Sequence, residues 1–330
     1  MNGGRRGEND DQPDRCGSAS SFVLLIPSVS IVVYPFSAGL TSCFSPLPTW
    51  LVLWYLGIHS IHLLAARHRP ANRNRALLIN FLLACLFAGQ LLGLELEWLC
   101  GQKWFRITAL WSPIAFFWWA YLWAGSTLHV YYPRDFSFDS RLIHLEERLF
   151  KQPSLWLASS QRPWLTDLLH FLYNTYYAYT PLIGLYLHVN GRIPEFQSAT
   201  FAVIFGYALC YAFFPFMPVF GPRWGLVQAG LLPQSKSRLT GGWMTRVTNA
   251  IMWGGPAHKG CAMPSAHSST GMVFLIWSWR LWGVEGGIPA TLVVAGMMVG
   301  AVYGRYHYVI DMVVGGILGT LCVLAADWVI

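Results

Sequence analysis

Nine apolar runs separated by short polar stretches occupy most of the chain, at roughly 22–44, 48–66, 76–94, 107–126, 165–188, 199–217, 266–284, 287–304 and 308–329. A helix needs about 20 predominantly apolar residues to cross a bilayer, so each run predicts a span. The first is broken by Pro27, Ser28, Ser30 and Pro35, a pattern equally suited to a re-entrant or interfacial segment. The predicted fold is therefore all-α, a polytopic transmembrane helical bundle of about eight or nine spans. Residues 1–20 read as a disordered polar tail of mixed charge, too long and too acidic for a signal-peptide n-region. Residues 21–106 read as additional N-terminal spans, and residues 107–330 as the membrane domain that carries the chemistry.

The polar stretches are as informative as the apolar ones. Counting spans back from the C-terminus puts the loop at 218–265, the segment PSAH and the segment RYHY on one membrane face, together with the loops at 66–75 and 127–164. Within the last of these, Phe138, Leu142, Ile143, Leu149 and Phe150 alternate with charges at helical spacing. This predicts an amphipathic helix lying in the interface beside that face, as structural cover.

Composition sharpens the class. The chain is 55% hydrophobic and 11% charged, against about 25% charged in soluble domains. Its 17 Trp and 15 Tyr suit interfacial aromatic belts. The net charge of +7 does not point to nucleic acid, because the cations sit in short loops between apolar runs. Seven scattered cysteines without a CxxC pair describe neither a zinc site nor a disulfide framework, and most read as small apolar residues.

His307 and Asp311 stand four residues apart at the start of the last apolar run, on one face of a helix one turn apart. An ionised carboxylate inside a membrane costs about 2.5–3.5 kcal/mol on insertion scales, so it is usually paired or functional. The carboxylate can accept from one imidazole nitrogen, orient the ring and leave the other nitrogen free to act as a nucleophile. A His–Asp pair that only bridges helices is the competing reading.

His267 closes CAMPSAHSS at the start of another run, where free backbone N–H groups favour an anion. Ser265, Ser268 and Ser269 add hydroxyls, and the histidine suits a general acid for a leaving alkoxide. Arg223 in PFMPVFGPRW and Arg305 beside His307 offer guanidinium forks for phosphate oxygens, and Lys259 lies within reach.

The pair PSAH and RYHYVIDMVVGG, about forty residues apart, resembles the type 2 phosphatidic acid phosphatase superfamily. GPRW after a span and LIHLEERLFKQPSLWL resemble its branch of inositol phosphorylceramide synthases and related bacterial proteins. The resemblance covers about residues 107–330, and it implies a six-helix catalytic core that acts without metal or cofactor on a lipid phosphate substrate. It implies His307 as nucleophile forming a phosphohistidine, with Asp311 supporting it. It also implies His267 as proton donor and then base, with Ser265, Arg223 and Arg305 holding phosphate oxygens.

Three positions depart from the family pattern: Ala266 replaces the usual glycine, Ala301 the usual arginine six residues before the histidine, and Phe216 the usual lysine. These departures favour the transferase-like branch over the plain phosphatase pattern. Asn174, Tyr176, Tyr177 and Tyr179 share a span that can line the site or pack helices, and Gly315 and Gly319 form a small-xxx-small pair for close packing.

A non-enzymatic reading makes the His–Asp pair a proton relay in a transporter, or an anion site, although no repeat accompanies it. Arg67, Arg69, Arg73 and Arg75 among other cations bias the site face toward the cytoplasm. The resemblance implies an extracytoplasmic or luminal site instead.

Overall fold

In lipid, every backbone N–H and C=O must be satisfied inside its own segment, which favours helices in a chain this apolar. Among the described residues, the regular elements of the computed structural model are helices except for one short hairpin. It describes residues 44–159, 161–254 and 258–330, and the backbone of the hairpin strands Phe22–Ile26 (β1) and Val29–Val33 (β2). The polar tail at 1–20 lies outside the described residues.

The N-terminal helices are α1 (Leu47–Leu64), α2 (Arg73–Leu94), the short α3 (Glu97–Cys100) and α4 (Lys103–Ala124). The next stretch holds α5 (Asp139–Phe150), α6 (Pro153–Trp156), α7 (Pro163–Asn174) and α8 (Tyr176–Val189). Then come α9 (Ile193–Phe213), α10 (Pro222–Gln228), α11 (Trp243–Gly254), α12 (Ala266–Tyr303) and α13 (Val309–Val329).

Among the described residues α1, α2, α9, α12 and α13 are long and apolar enough to cross a membrane. The 38 residues of α12 hold both runs expected at 266–284 and 287–304. At about 1.5 Å per residue they are roughly twice as long as the hydrocarbon core is thick. The helix turns back at Gly283, whose φ of 55° and ψ of −137° are open to a residue without Cβ.

The run at 165–188 forms two helices, α7 and α8, meeting at Thr175. The described strands of the run at 22–44, Phe22–Ile26 and Val29–Val33, are not part of the helix considered for it. They pair antiparallel, Phe22 opposite Val33 and Ile26 opposite Val29. The sequence there contains Pro27, and a proline inside a helix removes a hydrogen bond and clashes with the preceding turn.

α9 sits at the centre, packed against α1, α4, α8, α12 and α13. Its Phe196, Ala202, Ile204, Tyr207 and Ala208 are buried. The outward face of α2 carries Leu78, Phe81, Leu82, Leu86 and Leu92 exposed, as a lipid-facing helix does. Cys100 is disulfide-bonded, an exception to the reading of most cysteines as small apolar residues, while Cys85, Cys210, Cys261 and Cys322 are free. Cys100 ends α3 in a polar connection, outside the apolar runs, where spacing along the chain says nothing about pairing.

The helix predicted in the 127–164 loop is α5. Its Leu142 and Ile143 enter a small core with Val219, Leu226, Ala262 and Tyr308, so α5 covers the segments on either side of the two motif histidines. Arg67 and His68 donate their backbone N–H groups to the Val130 carbonyl at 2.8 and 3.0 Å, placing those two loops on one face as counted from the sequence.

Candidate active site

The PSAH segment begins α12. Ser265 caps it, its Oγ accepting from the Ser268 N–H at 3.3 Å. The same turn is sewn to the start of α13: the Ser265 N–H donates to the Asp311 carbonyl at 3.2 Å, and Ser268 Oγ donates to the Met312 carbonyl at 2.6 Å. Gly315 and Gly319 allow this approach, since a Cβ at either would run into the Ser265 or Ser269 carbonyl.

His307 lies in the tight connection from α12 to α13. Arg305 adopts a left-handed conformation there, with φ 61°. The carbonyl of Ala301 accepts from the Tyr306 and His307 N–H groups at 2.9 and 3.3 Å. His307 Nδ1 lies 2.9 Å from the Ala262 carbonyl and 3.5 Å from Asp311 Oδ2. Asp311 Oδ2 accepts from the Tyr308 N–H at 2.9 Å. The nearest acceptor for the ring is thus a backbone carbonyl, with the carboxylate second. Ala262 is itself held by its N–H donating to the Val219 carbonyl at 3.0 Å.

The outer nitrogen, His307 Nε2, faces His267 Nδ1 at 3.3 Å and Ser265 Oγ at 3.5 Å. His267 Nε2 lies 3.0 Å from the Tyr173 hydroxyl. The His267 ring stacks on Tyr173 and lies against Tyr176, at centroid distances of 5.0 and 4.2 Å.

Arg223 completes the group. Its backbone N–H donates to the Arg305 carbonyl at 2.9 Å, tying GPRW to RYHY. Its guanidinium lies over the Trp224 ring at 3.6 Å and near the Tyr306 ring at 5.4 Å. The side chain is 4% exposed, yet Nε and Nη1 have no protein partner. Burial pulls its pKa down from the usual arginine value, and buried donors of this kind invite an anion.

Arg223, His267 and His307 line one cavity of about 290 Å³, with Tyr173, Tyr176, Tyr177, Tyr207 and Tyr211 among its walls. Tyr176 and Tyr177 therefore line it. Tyr179 instead stacks on Phe274, and Asn174 donates to the Thr248 hydroxyl at 2.6 Å.

The remaining expected phosphate ligands lie elsewhere. Arg305 Nε donates to the Ser154 carbonyl at 3.1 Å, and its Nη1 donates to the Lys236 carbonyl. The left-handed backbone turns that side chain away from the cavity and spends its donors on two loops. Burial lowers its pKa. Lys259 is exposed, with Nζ 5.4 Å from the centroid of the Trp224 ring that Arg223 stacks on.

Two carboxylates on α5 escaped the sequence reading. Asp139 Oδ2 accepts from the Phe220 N–H at 2.6 Å, and its Oδ1 accepts from the Tyr308 hydroxyl at 2.9 Å. Glu146 Oε1 accepts from the Ile310 N–H at 3.0 Å, capping the first turn of α13. Burial pushes Asp139 up to about 6 and Glu146 up to about 7. The signal was present: Asp139, Leu142, Ile143 and Glu146 share one buried face, so the carboxylates fall on the apolar stripe.

A model of the PAP2 superfamily matches residues 140–325, which hold Arg223, His267, His307 and Asp311. No curated protein and no solved structure matches the chain.

Proposed function

Because the chain belongs to the PAP2 superfamily, we propose that it is a membrane phosphotransferase or phosphatase acting on a lipid phosphoester through a phosphohistidine at His307. One observation carries the reading: His307 Nε2 and His267 Nδ1 face each other at 3.3 Å on the wall of a cavity also lined by the unpartnered guanidinium of Arg223.

The Nδ1–H of His307 is given to the Ala262 carbonyl and Asp311, so Nε2 carries the lone pair that attacks phosphorus. Arg223 holds the non-bridging oxygens as charge moves onto them. The P–O bond to the lipid alcohol breaks, and His267, having taken a proton from solvent, gives its Nδ1 proton to the departing oxygen and is left neutral. His267 then removes a proton from the acceptor, whose oxygen attacks the phosphohistidine and frees His307.

Water as acceptor yields free phosphate, and an alcohol such as a ceramide hydroxyl yields a transferred phosphoryl group. The tyrosine-rich wall suits the polar end of an amphipathic substrate, apolar in body and able to hydrogen-bond at its tips. The resemblance of GPRW and the α5 segment to inositol phosphorylceramide synthases favours the alcohol.

The test uses the whole protein in nanodiscs with EDTA present, comparing wild type and His307→Ala. Each is given labelled phosphatidic acid, then phosphatidylinositol with ceramide. Phosphate release or a phosphorylated ceramide, lost in the variant, supports the reading and names the acceptor. Turnover that survives His307→Ala overturns it.

A further inference from the structure

The direction of every hydrogen bond between Ala262 and Tyr173 follows from the one group that can only accept. The Ala262 carbonyl accepts, so His307 Nδ1 carries the hydrogen of that 2.9 Å contact and, in the neutral ring, Nε2 is bare. The 3.3 Å contact then requires the hydrogen on His267 Nδ1, which leaves His267 Nε2 as an acceptor. Its partner at 3.0 Å is the Tyr173 hydroxyl, which donates. The hydroxyl has one other neighbour, Met252 Sδ at 3.9 Å. At rest the chain therefore runs one way, from Tyr173 through His267 and His307 to Ala262.

A hydroxyl at the outer nitrogen has a property that a carboxylate or a carbonyl lacks: it can reverse. We propose that Tyr173 is the positioning residue of His267, turning from donor to acceptor as His267 changes protonation state. The inference rests on the reaction proposed above. His267 takes one proton from solvent, and its Nε2–H is then given to the Tyr173 oxygen while Nδ1–H faces the bridging oxygen of the substrate. When the P–O bond breaks, the Nδ1 proton goes to the alkoxide, and the proton that remains is held on Nε2 by Tyr173. Nδ1 is thereby bare when the acceptor O–H arrives, takes its proton, and restores the imidazolium. Without the hydroxyl, the remaining proton can sit on either nitrogen and the productive preference is lost.

The groups facing this pair bear on its pH dependence. His307 faces His267, while Arg223, Tyr306, Tyr177 and Tyr121 lie around Tyr173. Each is kept in the variant Tyr173→Phe. The Phe ring also keeps the stacking on His267 and on Tyr306, whose centroid lies 4.7 Å from that of Tyr173.

Two measurements on the full chain in nanodiscs decide the matter. In the first, Tyr173→Phe is compared with wild type on an alkyl lipid phosphate and on an aryl phosphate whose leaving group needs no proton. Alkyl turnover should fall by about tenfold or more, while the first-turnover burst of aryl alcohol, whose departure needs no proton, stays near wild type. The alkaline limb of the alkyl profile should move to lower pH by about one unit, because the imidazolium has lost its acceptor. An aryl burst that falls as far as alkyl turnover, with an unmoved pH profile, would reduce Tyr173 to a packing role and overturn the proposal.

In the second, nitrogen NMR of labelled histidines follows the His267 ring, assigned by its absence from His267→Gln. A change of tautomer balance in Tyr173→Phe is expected, and an unchanged ring spectrum overturns the pairing. A wild-type protein inert on both phosphates would sink the reaction itself, while the ring spectrum would still decide the pairing.

Discussion

The Tyr308 hydroxyl donates to Asp139 Oδ1 at 2.9 Å, joining the residue after the proposed nucleophile to a helix 169 residues earlier in the chain. The other oxygen of Asp139 holds the Phe220 N–H, just before GPRW. With Glu146 capping the start of α13, α5 clasps both segments that carry the site. A helix that reads as interfacial cover is thus bonded to the backbone on which the chemistry stands.

This clasp should be visible in stability as a function of pH. The folded-state pKa of Glu146 is raised from 4.5 to about 7 by burial, and that of Asp139 from 3.8 to about 6. A raised carboxyl pKa means the folded state binds the proton more tightly, so stability falls as pH rises through the window between the two values. Wild-type Tm should decline from about pH 4.5 to about pH 7. Glu146→Gln should flatten the upper part of that decline, and adding Asp139→Asn should flatten the lower part. Parallel curves for all three proteins would contradict the account.

Arg223 presents two unpartnered donors to the cavity. Arg223→Ala should lower kcat by roughly 10²–10³, the range seen when a donor to developing charge is removed. Arg223→Lys keeps the charge without the fork and should recover only part of that loss. Full activity in the lysine variant would show that charge alone suffices.

Arg305 should behave differently, because its donors are spent on the Ser154 and Lys236 carbonyls. Arg305→Ala should cost on the order of 3 kcal/mol of stability, as expected for losing hydrogen bonds from a charged group. The affinity of the folded variant for inorganic phosphate, measured by calorimetry, should match wild type. A large loss of affinity without a loss of stability would return Arg305 to the phosphate.

Gly315→Ala pushes a methyl against the Ser265 carbonyl, at the turn that carries His267. Overpacking of this sort costs about 1–3 kcal/mol, and activity should fall along with Tm. Gly89→Ala, whose Cβ meets nothing within 4 Å, is the control and should leave both unchanged. Matching behaviour of the two variants would contradict the close approach of α12 and α13.

Periodicity and hydropathy made most of the helices legible, because a membrane span must satisfy its own backbone and shows its length directly. The runs at 266–284 and 287–304 fall within the single long α12, and their boundary lies close to Gly283, where its backbone leaves the helical conformation. The run at 22–44 was ambiguous because apolarity over a short stretch does not choose between helix and strand, and its described residues are strands. At the site, the spacing of His307 and Asp311 and the shared face of PSAH and RYHY were legible as local patterns. Ala262 was not, because a backbone carbonyl acts without regard to its side chain. Arg305 was misplaced because proximity in sequence to His307 says nothing of direction once the backbone turns left-handed. Tyr173 sat one residue before the polar group singled out in its span, and only the packing of α7 on α12 brings it to His267.

The central claim is the phosphohistidine, and rapid quench with a phosphorus-labelled lipid phosphate tests it most directly. In EDTA, wild-type protein should carry an acid-labile, base-stable label that peptide mass spectrometry places on His307, and His267→Ala should accumulate it as its second step slows. Turnover without label on His307, or label on His307→Ala, would contradict the account.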